Sequence, residues 1–156
     1  MESFILDLPS PVGVWGVEGT AERITRIYMP NEHWRTSRGT APSAVADVAG
    51  QLGEYFAGTR RRFSVRFSDT PATPFQRDVW GALIEIPFGQ VRTYAQVATA
   101  VNRPKASRAV GNANHANPWP VLVPCHRVVA ANGLGGYGGG DALKRYLLEL
   151  EGVALS

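Results

Sequence analysis

The chain contains one cysteine, Cys125, within Pro124-Cys125-His126-Arg127. A thiol reacts as its thiolate, and a cation, a basic imidazole or a helix N-terminus favours loss of its proton. His126 and Arg127 supply the first two. The apolar flanks, Val121 to Val123 and Val128 to Val129, predict a buried, extended segment, where burial alone would raise the thiol pKa. Adjacent side chains on an extended chain point to opposite faces. A Cys125 to His126 contact therefore needs a sharp turn or an intervening water. The plain alternative is an inert, packed thiol. One cysteine excludes an intrachain disulfide, and His33, His115 and His126 lack the thiolate partners of a structural zinc site. No metal and no cofactor is expected.

These residues need elements to hold them. In the first half, Val12 to Val17, Ile24 to Tyr28 and the alternation Phe63, Val65, Phe67 predict short strands of a small sheet. Pro42 opens a helical pattern with Val45, Val48, Leu52 and Phe56 near one face, suited to covering that sheet. The turn-rich connector Ser68 to Pro74 divides the chain into an N-terminal lobe, 1–72, and a C-terminal lobe, 73–156. In the second lobe Thr73 and Gln76 form a capping box with Pro74 at the first helical position, and Thr93 with Gln96 repeats it. A further helix carries Ala106, Ala109, Val110 and Ala113 on a small-residue face. Two short helices across the Asn102 to Pro104 turn suggest helix-turn-helix. Asp141 is placed to cap a last helix with Leu143, Leu147 and Leu150 inward, ending at Gly152. The fold class expected is α+β: a sheet-plus-helix lobe, then a helical lobe.

The 156 residues suffice for a core without staples. With 44% hydrophobic and 19% charged residues, a disordered chain is excluded. The start from Met1 to Pro11 has no Lys or Arg and is unlike a secretory n-region, and no apolar run spans a membrane. A soluble, cytoplasmic protein is expected. Positive charge is uneven. Residues 1–74 hold eight basic and eight acidic side chains, residues 75–156 eight and five. From Ile86 to Gly140 there is no Asp or Glu, while Arg92, Arg103, Lys105, Arg108 and Arg127 all lie there. A polyanion could approach such a surface, although basic patches have other uses.

The blocks Arg108-Ala109-Val110-Gly111, Asn117-Pro118-Trp119-Pro120, Pro124-Cys125-His126-Arg127-Val128-Val129, Gly136-Tyr137-Gly138-Gly139-Gly140 and Leu147 to Gly152 resemble, in order and spacing, the O6-alkylguanine-DNA alkyltransferases. The resemblance is dense over the second lobe. Over the first it is loose, through Ser10-Pro11-Val12-Gly13 and the Leu52 to Gly58 helix end. It implies in-line displacement by a thiolate at the alkyl carbon on guanine O6, once per molecule. By position, Cys125 would be the nucleophile, His126 would take its proton through water, and Glu151 would hold the imidazole tautomer. Asn117 would brace the turn, and Tyr94 would serve the flipped base. Read by themselves, Asn117 is equally a turn residue, and Glu151 equally a solvated helix end.

The same resemblance implies that the carbonyls of Cys125 and Val128 accept from the exocyclic amine and the Gly138 amide donates to O6. Tyr137 and Gly139 would complete the wall. Gly138 stands where some members carry serine, which leaves the range of alkyl groups open. Arg108 would enter the base stack in place of the extruded nucleotide. Arg92, Lys105 and Ser107 would contact DNA, with Ala109 and Ala113 letting their helix press into the minor groove. Trp119 reads as a packing lid rather than a stacking platform. The partner implied is double-stranded DNA containing alkylated guanine, bound by a monomer in the cytoplasm, at the nucleoid when engaged. Cooperativity along DNA stays open. A lesion-binding relative without chemistry is the alternative class, and Cys125 argues against it, since such relatives lack the cysteine.

Overall fold

A computed structural model describes residues 3–155; Glu2 of the acidic start, Met1 and Ser156 lie outside the described residues. The chain divides into two compact units, Met1–Thr70 and Pro71–Ser156.

The first unit is an antiparallel sheet of β1 (Phe4–Ser10), β2 (Gly13–Gly19) and β3 (Ile24–Tyr28), in that spatial order, with α1 (Ser43–Phe56) packed on it. Ser10 locks the β1–β2 hairpin. Its Oγ donates to Gly13 O at 2.8 Å and accepts from Val12 N at 3.2 Å and Trp15 Nε1 at 3.0 Å. Trp15, Val17, Ile24 and Ile27 meet Val45, Val48, Leu52, Tyr55 and Phe56 in the core. Burying a large apolar side chain contributes about 1.5–3 kcal/mol, so the 3.6-residue stripe of α1 is what fixes the helix to the sheet.

Two features differ from expectation. β1 precedes the first anticipated strand and pairs along its whole length with β2. The Phe63 to Phe67 alternation does not make a full strand. It forms one parallel bridge, Ile24 to Phe67. The reason is a side chain: buried Gln51 accepts from Ser64 N and donates to Ser64 O, both at 2.9 Å, and so takes the place of a neighbouring strand.

The second unit contains α2 (Pro74–Ile84), β4 (Arg92–Thr93), α3 (Tyr94–Ala100), α4 (Ser107–His115), β5 (Val128–Val129) and α5 (Asp141–Leu150). Both capping boxes are formed, Thr73 with Gln76 and Thr93 with Gln96. Asn102 takes the left-handed conformation, φ 61°, in the turn joining α3 to α4, which pack together. Gly140, at φ 94°, is the N-cap of α5, and Asp141 is its first residue rather than its cap. β4 and β5 pair in parallel. The segment holding the cysteine is not extended. Residues Cys125–Arg127 form a 3-10 turn packed on α2 and α5, with Cys125 N donating to Val123 O at 2.8 Å and Arg127 N to Pro124 O at 3.0 Å. Among the described residues no helix is long and apolar enough to cross a membrane, and no group of three His, Cys, Asp or Glu could hold a metal ion.

Candidate active site

The 3-10 turn presents Cys125, His126 and Arg127 to the interior of the second unit, where all three are buried. Two segments hold the turn. From one side Asn117 Nδ2 donates to Val123 O at 2.8 Å and its Oδ1 accepts from Trp119 N at 3.0 Å, which stitches the Asn117 to Cys125 loop across six residues. From the other, Glu151 stands just past the end of α5, buried at 5% exposure.

Glu151 is fully engaged. His126 Nε2 is 2.7 Å from Oε2; Arg127 donates through Nε to Oε1 at 2.8 Å and through Nη2 to Oε2 at 3.0 Å, a bidentate pair; Gly89 N donates to Oε1 at 3.3 Å. The third arm of Arg127, Nη1, donates to Ile86 O at 2.8 Å, tying in the end of α2. Burial alone would push the Glu151 carboxyl up. Hydrogen bonds from His126 and Arg127, with the Arg127 charge, outweigh it and hold Glu151 ionised, well below the usual carboxylate range. Burial pushes His126 down more than Glu151 lifts it, so the imidazole is neutral. A carboxylate can only accept. The ring hydrogen therefore sits on Nε2, and Nδ1 carries a lone pair. That Nδ1 is buried with no hydrogen-bond partner in the structure.

Burial also pushes the Cys125 thiol up. Against it act the neighbouring polar side chains of Asn117 and Tyr137 and the nearby Lys144 charge. Here the geometry corrects the expectation. Arg127 turns toward Glu151 and Ile86 O, and Lys144 is the cation that acts on the sulfur. Lys144 is 0% exposed, donates to Val128 O at 2.6 Å and Gly136 O at 3.1 Å, and is lowered by burial to about 8. Sequence reading missed it. The signal was its position: on α5 it shares the buried stripe with Leu143, Leu147 and Leu148, at helical spacing of three and four.

Tyr94, at the start of α3, is half-buried. Its hydroxyl donates to Gly136 O at 3.5 Å, and its ring centroid is 6.0 Å from Lys144 Nζ. Burial raises the phenol, Gly136 lowers it and the Cys125 charge raises it, which puts Tyr94 within electrostatic reach of the sulfur. Gly135, at φ 77°, allows the close approach: a Cβ there would sit 2.9 Å from Tyr94 Oη. Val128 is buried, its carbonyl accepting from Lys144, while Gly139 is half-buried and Gly138 exposed.

Arg108, Lys105 and Ala109 are exposed, and Ser107 is half-exposed in the first turn of α4. The half-buried Arg92 donates to Val91 O at 2.9 Å and Gln90 Oε1 at 3.1 Å. Ala113 departs from expectation. It is 2% exposed and its carbonyl accepts from Trp80 Nε1 at 2.9 Å, so it faces the core and not an outer groove. Trp119 is buried edge-on to Trp80, centroids 5.9 Å apart, as a packing residue.

A lone thiol beside a carboxylate-oriented imidazole, in a unit whose exposed helix start is basic, is the arrangement of a protein that accepts a group onto sulfur. Residues 74–153 match the family described as 6-O-methylguanine DNA methyltransferase, DNA binding domain. The chain is 42% identical over 154 residues to the constitutive methylated-DNA–protein-cysteine methyltransferase of Bacillus subtilis, covering 93% of each chain. It is 43% identical to the enzyme of that name from Mycobacterium bovis, covering 92% of this chain and 89% of that one. It superposes on the crystal structure of the Mycobacterium tuberculosis O6-methylguanine methyltransferase with a TM-score of 0.84 at 40% identity, covering 96% and 93% of the two chains. The M. tuberculosis OGT solved in complex with DNA gives 0.84 at 41%, covering 97% and 93%. This chain belongs to the methylated-DNA–protein-cysteine methyltransferase family.

Proposed function

We propose that this protein repairs DNA by moving the alkyl group of O6-alkylguanine directly, and once per molecule, onto Cys125. The observation that carries the reading is the His126 ring. Its Nε2–H is committed to Glu151, and its Nδ1 is a buried, unpartnered base one residue from the chain's only thiol. Nδ1 takes the thiol proton through a water, and the Glu151 carboxylate stabilises the imidazolium that results. The sulfur then attacks the alkyl carbon in line with O6. The S–C bond forms, the C–O6 bond breaks, and the electron pair leaves with guanine, whose purine ring the Tyr94 hydroxyl steadies by hydrogen bonding. Asn117 keeps the thiol turn in place. The thioether is not reversed, so the molecule is spent.

The base must leave the duplex to reach a sulfur whose residue is only 6% exposed. Glycines at 135, 136, 138, 139 and 140 let the facing loop give way, with the carbonyls of Cys125 and Val128, the Gly138 amide, Tyr137 and Gly139 lining the pocket. Arg108 fills the vacated stack. Lys105, Ser107, Arg92 and the exposed Ala109 carry the minor-groove contact made by α3 and α4 in a helix-turn-helix arrangement. In this reading residues 73–156 bind DNA and accept the alkyl group, residues 1–72 form a separate lobe, and the protein acts as a monomer in the cytoplasm, on the nucleoid.

The test is to incubate the protein with duplex DNA carrying O6-methylguanine and map the modified residue by mass spectrometry. One added methyl, on Cys125, is expected, and none in Cys125→Ser. An unmodified thiol with retained DNA binding would leave a lesion-binding protein instead.

A further inference from the structure

Of the residues that α5 buries, Leu143, Lys144, Leu147 and Leu148, only Lys144 is charged, and it is 0% exposed. An ammonium taken wholly out of water is costly unless something compensates. Its hydrogen bonds run to carbonyls, Val128 O at 2.6 Å and Gly136 O at 3.1 Å, and not to a carboxylate, so ion pairing does not account for it. What the bonds do account for is a spacing. Val128 opens β5 directly after the thiol turn, and Gly136 belongs to the glycine loop. Two oxygens that share one nitrogen are held side by side, so the ammonium fixes strand and loop relative to each other. The same residue grips the loop a second time, its backbone N donating to Gly140 O at 3.1 Å. Gly138 lies midway between the two anchored glycines.

We propose that Lys144 is a positioning residue for reading the guanine edge, setting the Val128 carbonyl and the Gly138 amide at the separation that the exocyclic amine and O6 require. The inference rests on the alkyl-transfer reading above, which puts those two groups on the base. A carbonyl oxygen has two lone pairs, so Val128 O can hold the ammonium and still accept from the amine. Hydrogen bonds weaken steeply when misaligned. Releasing the clamp therefore costs recognition of the amine, a loss separate from any influence of the Lys144 charge on the sulfur.

The test compares two free bases, O6-methylguanine and O6-methylhypoxanthine, which differ only in the exocyclic amine and leave base pairing and eversion out of the measurement. Second-order rates of methyl transfer to Cys125 are read by mass spectrometry, with folding checked by circular dichroism. In the unmutated protein the amine is expected to speed transfer about fivefold, the worth of one net hydrogen bond. In Lys144→Met that ratio should fall towards one. A weaker thiolate or a general loss of stability slows both bases alike and cancels in the ratio. A folded variant that keeps the ratio overturns the proposal, and so does an unmutated protein that does not prefer O6-methylguanine. Should Lys144→Met fail to fold, Lys144→Gln, uncharged and shorter, takes its place under the same two outcomes. Failure of the alkyl-transfer reading itself shows differently, as a Cys125 left unmethylated by duplex O6-methylguanine in the unmutated protein.

Discussion

His126 Nε2 and Glu151 Oε2 lie 2.7 Å apart in a site closed to solvent, and Arg127 grips both oxygens of the same carboxylate. One anion thus orients a neutral base and neutralises a buried guanidinium. Removing it would strand that cation. Glu151→Ala is expected to cost about 3–5 kcal/mol of stability, the range for breaking a buried ion pair from one side, measured by urea unfolding. Transfer to Cys125 should slow as well, because neither imidazole nitrogen would then be fixed as the base.

The same pair sets a pH dependence. Both groups have lowered values in the folded state, so the unfolded chain binds the extra protons, and stability falls as pH falls. The His126 contribution is complete above its ordinary 6.5 and is lost below it as the unfolded chain takes up the proton. The Glu151 contribution is present above its ordinary 4.5 and is lost further into acid. Urea midpoints measured from neutral to acid pH should decline in two stages, and Glu151→Gln should flatten the more acidic one.

Lys144 places an ammonium against the carbonyls of Val128 and Gly136 and near the sulfur. Lys144→Met removes the charge at similar length. The thiolate midpoint should move up, and methyl transfer near neutral pH should slow by about tenfold for each unit of movement. Because Lys144 loses its own proton at about 8, the unmutated rate profile should bend near that pH. The methionine variant should lack the bend.

Arg108 is exposed at the first turn of α4. If it occupies the hole left by the everted nucleotide, Arg108→Ala slows transfer from duplex DNA far more than transfer from a free O6-alkylguanine base. Single-turnover rates on the two substrates decide it, and equal slowing would remove the flipping role.

Gly135 is held at φ 77°, with the Tyr94 hydroxyl where a side chain would begin. Gly135→Ala adds about 1–2 kcal/mol of left-handed strain and a contact that must push Tyr94 aside. Thermal unfolding should report the first effect. A fall in transfer rate larger than that of a Tyr94→Phe variant should report the second.

Much of the machinery could be read along the chain because it is local. The capping boxes at Thr73 and Thr93 depend on residues three apart, the Val45 to Phe56 stripe on helical period, and the Cys125 block on six consecutive residues. Side chains that replace backbone partners over long separations were not readable. Gln51 bonding Ser64, which cancels the strand suggested by Phe63, Val65 and Phe67, is one such case. Trp80 bonding the Ala113 carbonyl, which turns that alanine inward, is another.

What the sequence by itself determined is the chemistry available: one thiol, an adjacent imidazole, a carboxylate late in the chain and a stretch without acids. Only the tertiary structure decided who serves whom. The 3-10 turn brings His126 onto Glu151 across 25 positions and swings Arg127 away from the sulfur; α5 delivers Lys144 in its stead. The physical reason is burial. Once water is excluded, each charge and each polar hydrogen must find a partner in the protein, and those partners are set by the packing of distant elements rather than by spacing along the chain.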